Sequence, residues 1–452
     1  MKIRSIHYSV SSQNGLRFDA SFHLSEGLVV KRKIASSPYE MLKIKDVTSD
    51  IFYGNRAKRV YVSKKDHGIP FLSSSDILQA DLDNVKLASK KYTPCLDQMT
   101  LQKGWTLISR SGTIGNCAFA NAKHANKLAS EDVIRLVPNN ILKGGLIYAY
   151  LASKQGHSLL TQGTFGAVIQ HIEPKFIASL PIPKFPDVIQ KEVDDLVQES
   201  ARLREEASDA LDEAVRYFDV KYPISKSITK TYSLGLKDLK LGFAAYNNNL
   251  EVDAFIKKYA DDSYELKSKT KKIFAPPLFK HIYLSKDNGF PFMTGSELTQ
   301  FNLRYYRWLS PRGVKDINDY VVKCGTLLLY KSGTTDGGIL GNVFVADKKL
   351  NGCCLSDHVI RIVFTEEKQA YWAFAFLRSK GGVKMLQRLA TGTMIPFITP
   401  ERLSNILIPN PDNKFDYITS LIEKYIELNS NSKEKEDMAI QMVEEEIEKW
   451  NN

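Results

Sequence analysis

The groups that could transform a substrate are few in this sequence. An amino-methyltransferase needs an (N/D)-P-P-(Y/F) segment to hold the target amine and a glycine-rich loop for its cofactor. The one double proline is Ala275-Pro-Pro-Leu278, and no such loop follows a strand-like run. A phosphate-cradling loop needs GxxxxGK(S/T); the glycine-rich stretch from Ser332 to Gly341 lacks the lysine and reads as a tight turn between strands. Asp261, Asp262, Glu265 and Lys267 are the residue types of a metal-dependent nuclease cluster, but their loose spacing and single occurrence are those of a solvated helix face. No catalytic residue and no metal-ligand set is expected.

Binding chemistry is better represented. Arg56, Lys58, Arg59, Lys64 and Lys65 interleave with Tyr53 and Tyr61, Lys90 and Lys91 precede Tyr92, and Lys267, Lys269, Lys271 and Lys272 form a second cluster. Arg304 and Arg307 sit among Tyr305, Tyr306 and Trp308. Ammonium and guanidinium groups neutralise phosphates, and arginine can also read guanine through two parallel hydrogen bonds, so these residues are candidates for contact with a nucleic acid. Any one of them could equally be an ordinary solvated charge. Arg110 and Lys331 each precede a Ser-Gly-Thr turn and would either touch DNA or form a structural salt bridge. Arg135 and Arg361, inside apolar runs, are expected to tie down a carboxylate within the domain, and the single His358 beside Asp357 reads as a lone histidine.

The elements that must position these groups follow from the charge pattern. The chain has 452 residues, 43% hydrophobic and 25% charged, which is the composition of a folded protein of about two domains. Lys and Arg outnumber Asp and Glu by 62 to 51, giving +11. Asp187 to Asp219 carries a net −7 and Phe415 to Trp450 a net −6, so the two remaining blocks carry +24 between them. Five cysteines, at 95, 117, 324, 353 and 354, have neither disulfide-framework nor zinc-ribbon spacing. The longest apolar runs, such as Gly145 to Leu151, are too short to cross a bilayer, and MKIRSIHYSV lacks a secretory apolar region, so a cytoplasmic location is expected.

In the first acidic stretch Ile189, Val193, Leu196, Ser200, Leu203, Ala207, Ala210, Ala214 and Tyr217 recur in steps of four and three, the spacing of a helix that faces a partner helix. Pro181, Pro183 and Pro186 fix its start. The second stretch has Ile418, Ile422 and Tyr425, a polar interval from Asn429 to Asp437, then Ile440, Val443, Ile447 and Trp450. That interval reads as a hinge or a weakly packed end. The chain also repeats itself: residues 68–77 reappear as 289–298 and 104–113 as 325–334, both shifted by 221 positions. Residues 130–137 and Leu180-Pro-Ile-Pro183 recur as 356–363 and Ile406-Leu-Ile-Pro409, shifted by 226, and each copy leads into an acidic helix. Val133 to Val137 and Val359 to Val363 read as strands.

This ordered duplication resembles the DNA specificity (S) subunit of type I restriction-modification systems. The similarity rests on the Gly104 to Thr113 turn, the Gly163 to Ile169 and Gly392 to Ile398 segments, and the Leu-Pro-Ile-Pro run entering the helix. It covers nearly the whole chain, although Phe185 to Val193 and Phe415 to Ile418 depart from the family's usual Glu-Gln-x-x-Ile stretch. The resemblance implies a mixed α/β (α+β) fold in which two similar target-recognition domains, 1–184 and 221–413, are joined by two long antiparallel coiled-coil helices, 185–220 and 414–452, with pseudo-two-fold symmetry. It further implies a non-catalytic chain that binds double-stranded DNA and two modification (methyltransferase) subunits as well as restriction subunits, with S-adenosylmethionine, ATP and Mg held by those partners and no cofactor on this chain. A different class of reading, a coiled-coil scaffold whose basic heads bind RNA or anionic partners without sequence choice, stays open at this point. So does a self-contained nuclease or methyltransferase with an unrecognised site.

Overall fold

The computed structural model describes residues 23–451 apart from 24, 57, 84, 165–170, 226–230, 240, 304–305, 334–339 and 393. The chain divides into two units, Met1–Glu205 with Asn431–Asn452, and Glu206–Ser430. Each unit is thus one head plus a part of each long helix.

In the first unit an antiparallel four-stranded sheet runs in the order Thr48–Tyr53, Val133–Pro138, Thr106–Ser109, Cys117–Phe119. A second sheet has the order Tyr61–Val62, Leu87–Ser89, Gly68–Leu72, Leu128–Ala129, and only its last pairing is parallel. Met41–Lys43 pairs with Pro181–Pro183 just before the first long helix. The second unit repeats this plan. Thr270–Phe274, Val359–Phe364, Leu327–Tyr330 and Val343–Val345 form the antiparallel sheet, and Tyr283–Leu284, Arg307–Leu309, Phe290–Met293 and Cys354–Leu355 form the mixed one. Ser263–Glu265 pairs with Leu407–Pro409. The strands expected at 133–137 and 359–363 are therefore the second strands of equivalent sheets. Their apolar runs are continuous because both faces are covered: Val133, Ile134, Val359 and Ile360 are fully buried.

Details at the joints repeat as well. Gly104 and Gly325 enter equivalent strands with φ of +86° and +81°, a left-handed turn that favours glycine. After the sheet, helices Gly144–Ala152 and Lys154–Gln162 meet at Ser153, whose hydroxyl caps the second helix by accepting from Gly156 N at 3.1 Å. Ser379 does the same for Gly382 at 3.1 Å, between helices Glu367–Arg378 and Lys380–Arg388. A Cβ on Gly156 or Gly382 would collide with the carbonyl of Tyr150 or Phe376 respectively.

The long helices span Asp187–Lys221 and Phe415–Glu448. In the first unit Val193, Val197 and Ala201 share a core with Ala439, Ile440, Val443 and Ile447. There Phe185 stacks near Trp450, with centroids 5.8 Å apart, and Ser200 bonds Ser432, so the two segments run antiparallel. In the second unit Leu211, Ala214 and Phe218 share a core with Ile418, Ile422 and Ile426. Tyr417 bonds Glu213, and Tyr217 and Lys221 bond Asp412, again antiparallel.

Of the seam residues read from spacing, Val193, Leu203, Ala207, Ala210, Ala214, Ile418, Ile422, Val443 and Ile447 are buried, whereas Ile189, Leu196 and Tyr425 are only half-buried. Gln190, Val197 and Ile426 are buried beside them. The stripe shifts because a straight helix drifts about 20° per heptad away from a strict seven-residue repeat. The helix is continuous through the polar interval, where Ser432 and Glu436 are buried with partners: Ser200 Oγ donates to Ser432 O at 2.8 Å, Ser432 Oγ to Ser200 O at 2.7 Å, and Tyr148 OH to Glu436 Oε1 at 2.5 Å.

The helices are tied to the heads in matching ways. Lys154 N donates to Glu444 Oε1 at 2.8 Å in the first unit, and Lys380 N to Asp219 Oδ1 at 2.8 Å in the second. Trp372, fully buried, donates from Nε1 to Pro409 O at 2.8 Å and packs on Phe218 at 4.8 Å. Burying a large apolar side chain of this kind stabilises by about 2–3 kcal/mol. Cys117, Cys353 and Cys354 are buried, Cys95 and Cys324 exposed, and all five are free thiols. Among the described residues no helix is long and apolar enough to cross a membrane, and no group of three or more His, Cys, Asp or Glu could hold a metal ion.

Candidate nucleic-acid interface

The basic cluster of the first head leaves the end of strand Thr48–Tyr53 and wraps the edge of the mixed sheet. Its strand Tyr61–Val62 is followed by the turn Lys65–His67, and residues 90–92 follow the neighbouring strand Leu87–Ser89. Tyr61, Lys64, Lys90, Lys91 and Tyr92 therefore come together around one cavity of about 590 Å³. Tyr61 and Tyr92 are 41% and 59% exposed, which is a large apolar face to leave in water and suits stacking against a base or sugar. Lys86 Nζ lies 5.1 Å from the Tyr61 ring and Lys91 Nζ 5.3 Å from the Tyr92 ring. Arg56, Lys58 and Lys65 are exposed nearby. Arg59 lies over the Phe71 ring at 5.5 Å and pairs with Glu131 at 3.0 Å.

The second cluster read from the sequence does not occupy the corresponding place. Thr48 opposes Pro138, and Thr270 opposes Phe364, so Lys267, Lys269, Lys271 and Lys272 match positions 45 to 50 rather than 56 to 65. Lys267 is engaged by Glu265 at 2.8 Å and Asn405 Oδ1 at 2.8 Å, and Lys272 by Asp319 at 3.4 Å and the Phe274 ring at 3.9 Å. Lys269 lies 5.9 Å from the Tyr264 ring, and Lys271 is exposed. The Asp261 to Glu265 group is a 3-10 turn entering a strand, not a helix face, and Asp262 accepts from Asn410 at 2.8 Å. Arg307 does reach the mixed sheet, over the rings of Tyr283 and Phe292 at 5.5 Å each, and pairs with Glu297 at 2.7 Å. Arg304, most of Ser332 to Gly341 and much of the Gly163 to Ile169 segment lie outside the described residues.

Arg110 and Lys331 occupy equivalent backbone sites. Arg110 N donates to Asp132 O and its carbonyl accepts from Ile172 N, while Lys331 N donates to His358 O and its carbonyl accepts from Ile398 N. Their side chains differ. Arg110 is committed to Glu173 at 2.5 Å beneath the Tyr53 ring at 4.5 Å, whereas the counterpart of Glu173 is Thr399, and Lys331 has no ion-pair partner among the described residues. His358 is not alone: its Nδ1 lies 2.9 Å from Ser332 Oγ.

Arg135 and Arg361 correct the expectation of a bound carboxylate. Both guanidinium groups are held by backbone carbonyls: Arg135 by Ser130, Val133, Met99 and Ala129, and Arg361 by Ser356, Val359, Tyr320 and Leu355. Burial lowers each to about 10, so both stay charged at neutral pH. Each cross-links the antiparallel sheet to the parallel strand of the mixed one. Sequence pattern hides this role, because carbonyl acceptors leave no residue-type signal.

Comparison with known proteins bears on the first head. Residues 36–197 match the family model for the type I restriction modification DNA specificity domain. That span runs from just before the opening strand of the first head into the first long helix. No curated protein matches the chain. Among solved structures, the type I S subunit from M. genitalium is 12% identical over 92% of this chain and 94% of that one, with a TM-score of 0.29. The HsdS subunit from Thermoanaerobacter tengcongensis is 12% identical over 91% and 96%, also at 0.29. A structure concerned with assembly and conformational transition of the type I R-M system is 13% identical over 92% and 98%, at 0.28.

Proposed function

We propose that this chain is the DNA-specificity subunit of a type I restriction-modification complex, in which each head reads one half of a bipartite target in duplex DNA. The observation that carries the reading is the family match of residues 36–197, because the second unit repeats the strand order of that head, strand for strand. A duplicated recognition domain is the form a protein needs for a target in two parts. The exposed tyrosines and lysines at the edge of the mixed sheet support DNA contact, and the net charge of +11 favours a polyanion. The long helices, each shared between the units, set the interval between the half-sites. Two modification subunits carrying S-adenosylmethionine methylate adenine, and restriction subunits supply ATP- and Mg-dependent translocation and cleavage; this chain holds no cofactor.

The test is to co-express the chain with a neighbouring modification subunit and map methylated adenines in the host DNA. A single two-part motif, lost when the chain is omitted, is the expected result. Methylation unrelated to sequence, or retention of RNA as strongly as duplex DNA, returns the molecule to a scaffold with basic heads.

A further inference from the structure

The two heads share an aromatic pair at the edge of the mixed sheet. Tyr61 and Phe71 stand 6.1 Å apart in the first head, and Tyr283 and Phe292 stand 6.2 Å apart in the second. Strand pairing makes these residues equivalent: Tyr61 opposes Ala88 as Tyr283 opposes Leu309, and Phe71 lies beside Leu128 as Phe292 lies beside Cys354. In each head two further side chains lie at this pair, one just before the tyrosine's strand and one at the strand that runs between the two rings, and the arginine takes a different one of these places in each head. Two residues before the tyrosine stands Arg59 in one head and His281 in the other. One residue before the strand position that faces Pro70 or Pro291 stands Lys86 or Arg307.

Both heads thus place one guanidinium over the equivalent phenylalanine at 5.5 Å, yet they supply it from different strands. Both anchor it by carboxylates, again from different elements: Glu131 at 3.0 Å with Asp132 at 3.9 Å, beyond strand Leu128–Ala129, and Glu297 on the helix Gly295–Leu298. The arginine side chains remain 40% and 41% exposed. A guanidinium has five N–H donors. Arg59 spends one on Glu131, and Arg307 spends two, on Glu297 and on Tyr283 OH at 3.2 Å, so each keeps the two that a bidentate contact requires. A fork held by an aromatic ring and a carboxylate is preorganised for a bidentate acceptor, and the O6/N7 edge of guanine is the base edge that offers one.

We propose that Arg59 and Arg307 are base-reading residues, each specifying a guanine in a different half of the target, with the ring pair as the platform that orients them. The inference rests on the DNA-reading function proposed above and assigns within it the residues that distinguish bases. Because the arginine enters from a different strand of the same platform in each head, the two heads read different positions of their half-sites.

The test uses the full chain in complex with its modification subunits, retaining duplexes from a randomised library that are then sequenced. Arg59→Ala should flatten the preference for guanine at a position in one half of the selected motif by about tenfold and leave the other half intact. Arg307→Ala should do so in the other half. Arg59→Lys should preserve overall retention and lose the preference, since an ammonium lacks the planar fork; it carries the test if the alanine variant fails to assemble. Unaltered motifs in the variants, or an equal loss of retention across all sequences, overturn the inference while leaving the function standing. A wild-type complex that selects no motif overturns both.

Discussion

At the scale of single residues, basic side chains at two repeated positions do different work because of one neighbour. Arg110 and Lys331 have identical backbone surroundings, but Glu173 occupies Arg110 while Thr399 leaves Lys331 available. Lys331→Ala should therefore weaken DNA retention about equally for all sequences and reduce the slope of log affinity against log salt by about one, read by titration at several salt concentrations. Arg110→Ala should act on folding instead, lowering the denaturation midpoint of the first unit without changing that slope. The buried arginines are a stronger structural case. Arg135→Met would leave the carbonyls of Ser130, Val133, Met99 and Ala129 without their donor in a site closed to water. An unpaired buried acceptor costs about 1–3 kcal/mol, so a loss of at least ~3 kcal/mol in urea denaturation is expected, with the same result for Arg361→Met.

At the scale of elements, what the sequence made legible was whatever repeats. The offsets of 221 and 226 marked the strands and helix starts, and the acidic stretches marked the long helices. Contacts across large sequence separations were not legible. Ser432 and Glu436 look like a break in an apolar seam, because nothing local shows that Ser200 and Tyr148 receive them. Lys86 and His281 were missed at the candidate site for a similar reason: their role depends on which strands pair to bring the two rings together. The end of the second long helix offers a test of such a long-range contact. Tyr39 OH donates to Glu446 at 2.6 Å. That bond, with the Lys449 and Trp450 contacts outweighing burial, holds the Glu446 carboxyl below its ordinary value of about 4.3, while the same bond and burial push Tyr39 up to about 12. A depressed acid stabilises above its unfolded value and loses that contribution as pH falls through its folded one. A raised phenol stabilises below its unfolded value of about 10 and loses that contribution as pH rises toward 12. Stability should thus decline at both limits, and Tyr39→Phe should flatten both limbs of a plot of urea midpoint against pH.

At the scale of the molecule, the repeat makes the heads interchangeable in principle. The antiparallel sheet, the mixed sheet and the two-strand sheet before the long helix have one order and one set of pairings in both units. The attachment to the long helices repeats too, through Lys154 on Glu444 in one unit and Lys380 on Asp219 in the other. What differs is the side chains laid over that frame: Arg59 and Lys86 against His281 and Arg307, and Arg110 with Glu173 against Lys331 with Thr399. If specificity resides in those side chains and assembly in the frame, then replacing residues 263–409 by residues 41–183, the span between the equivalent short strands, should give a chain that still assembles. Its target should carry the first half-site twice. Mapping methylated adenines after co-expression with the modification subunit reads this out directly. An active complex that keeps the parental motif would show that readout lies outside the exchanged heads. Complete loss of methylation with a stable, assembled complex would show that the heads are not equivalent in how they present DNA to the partner.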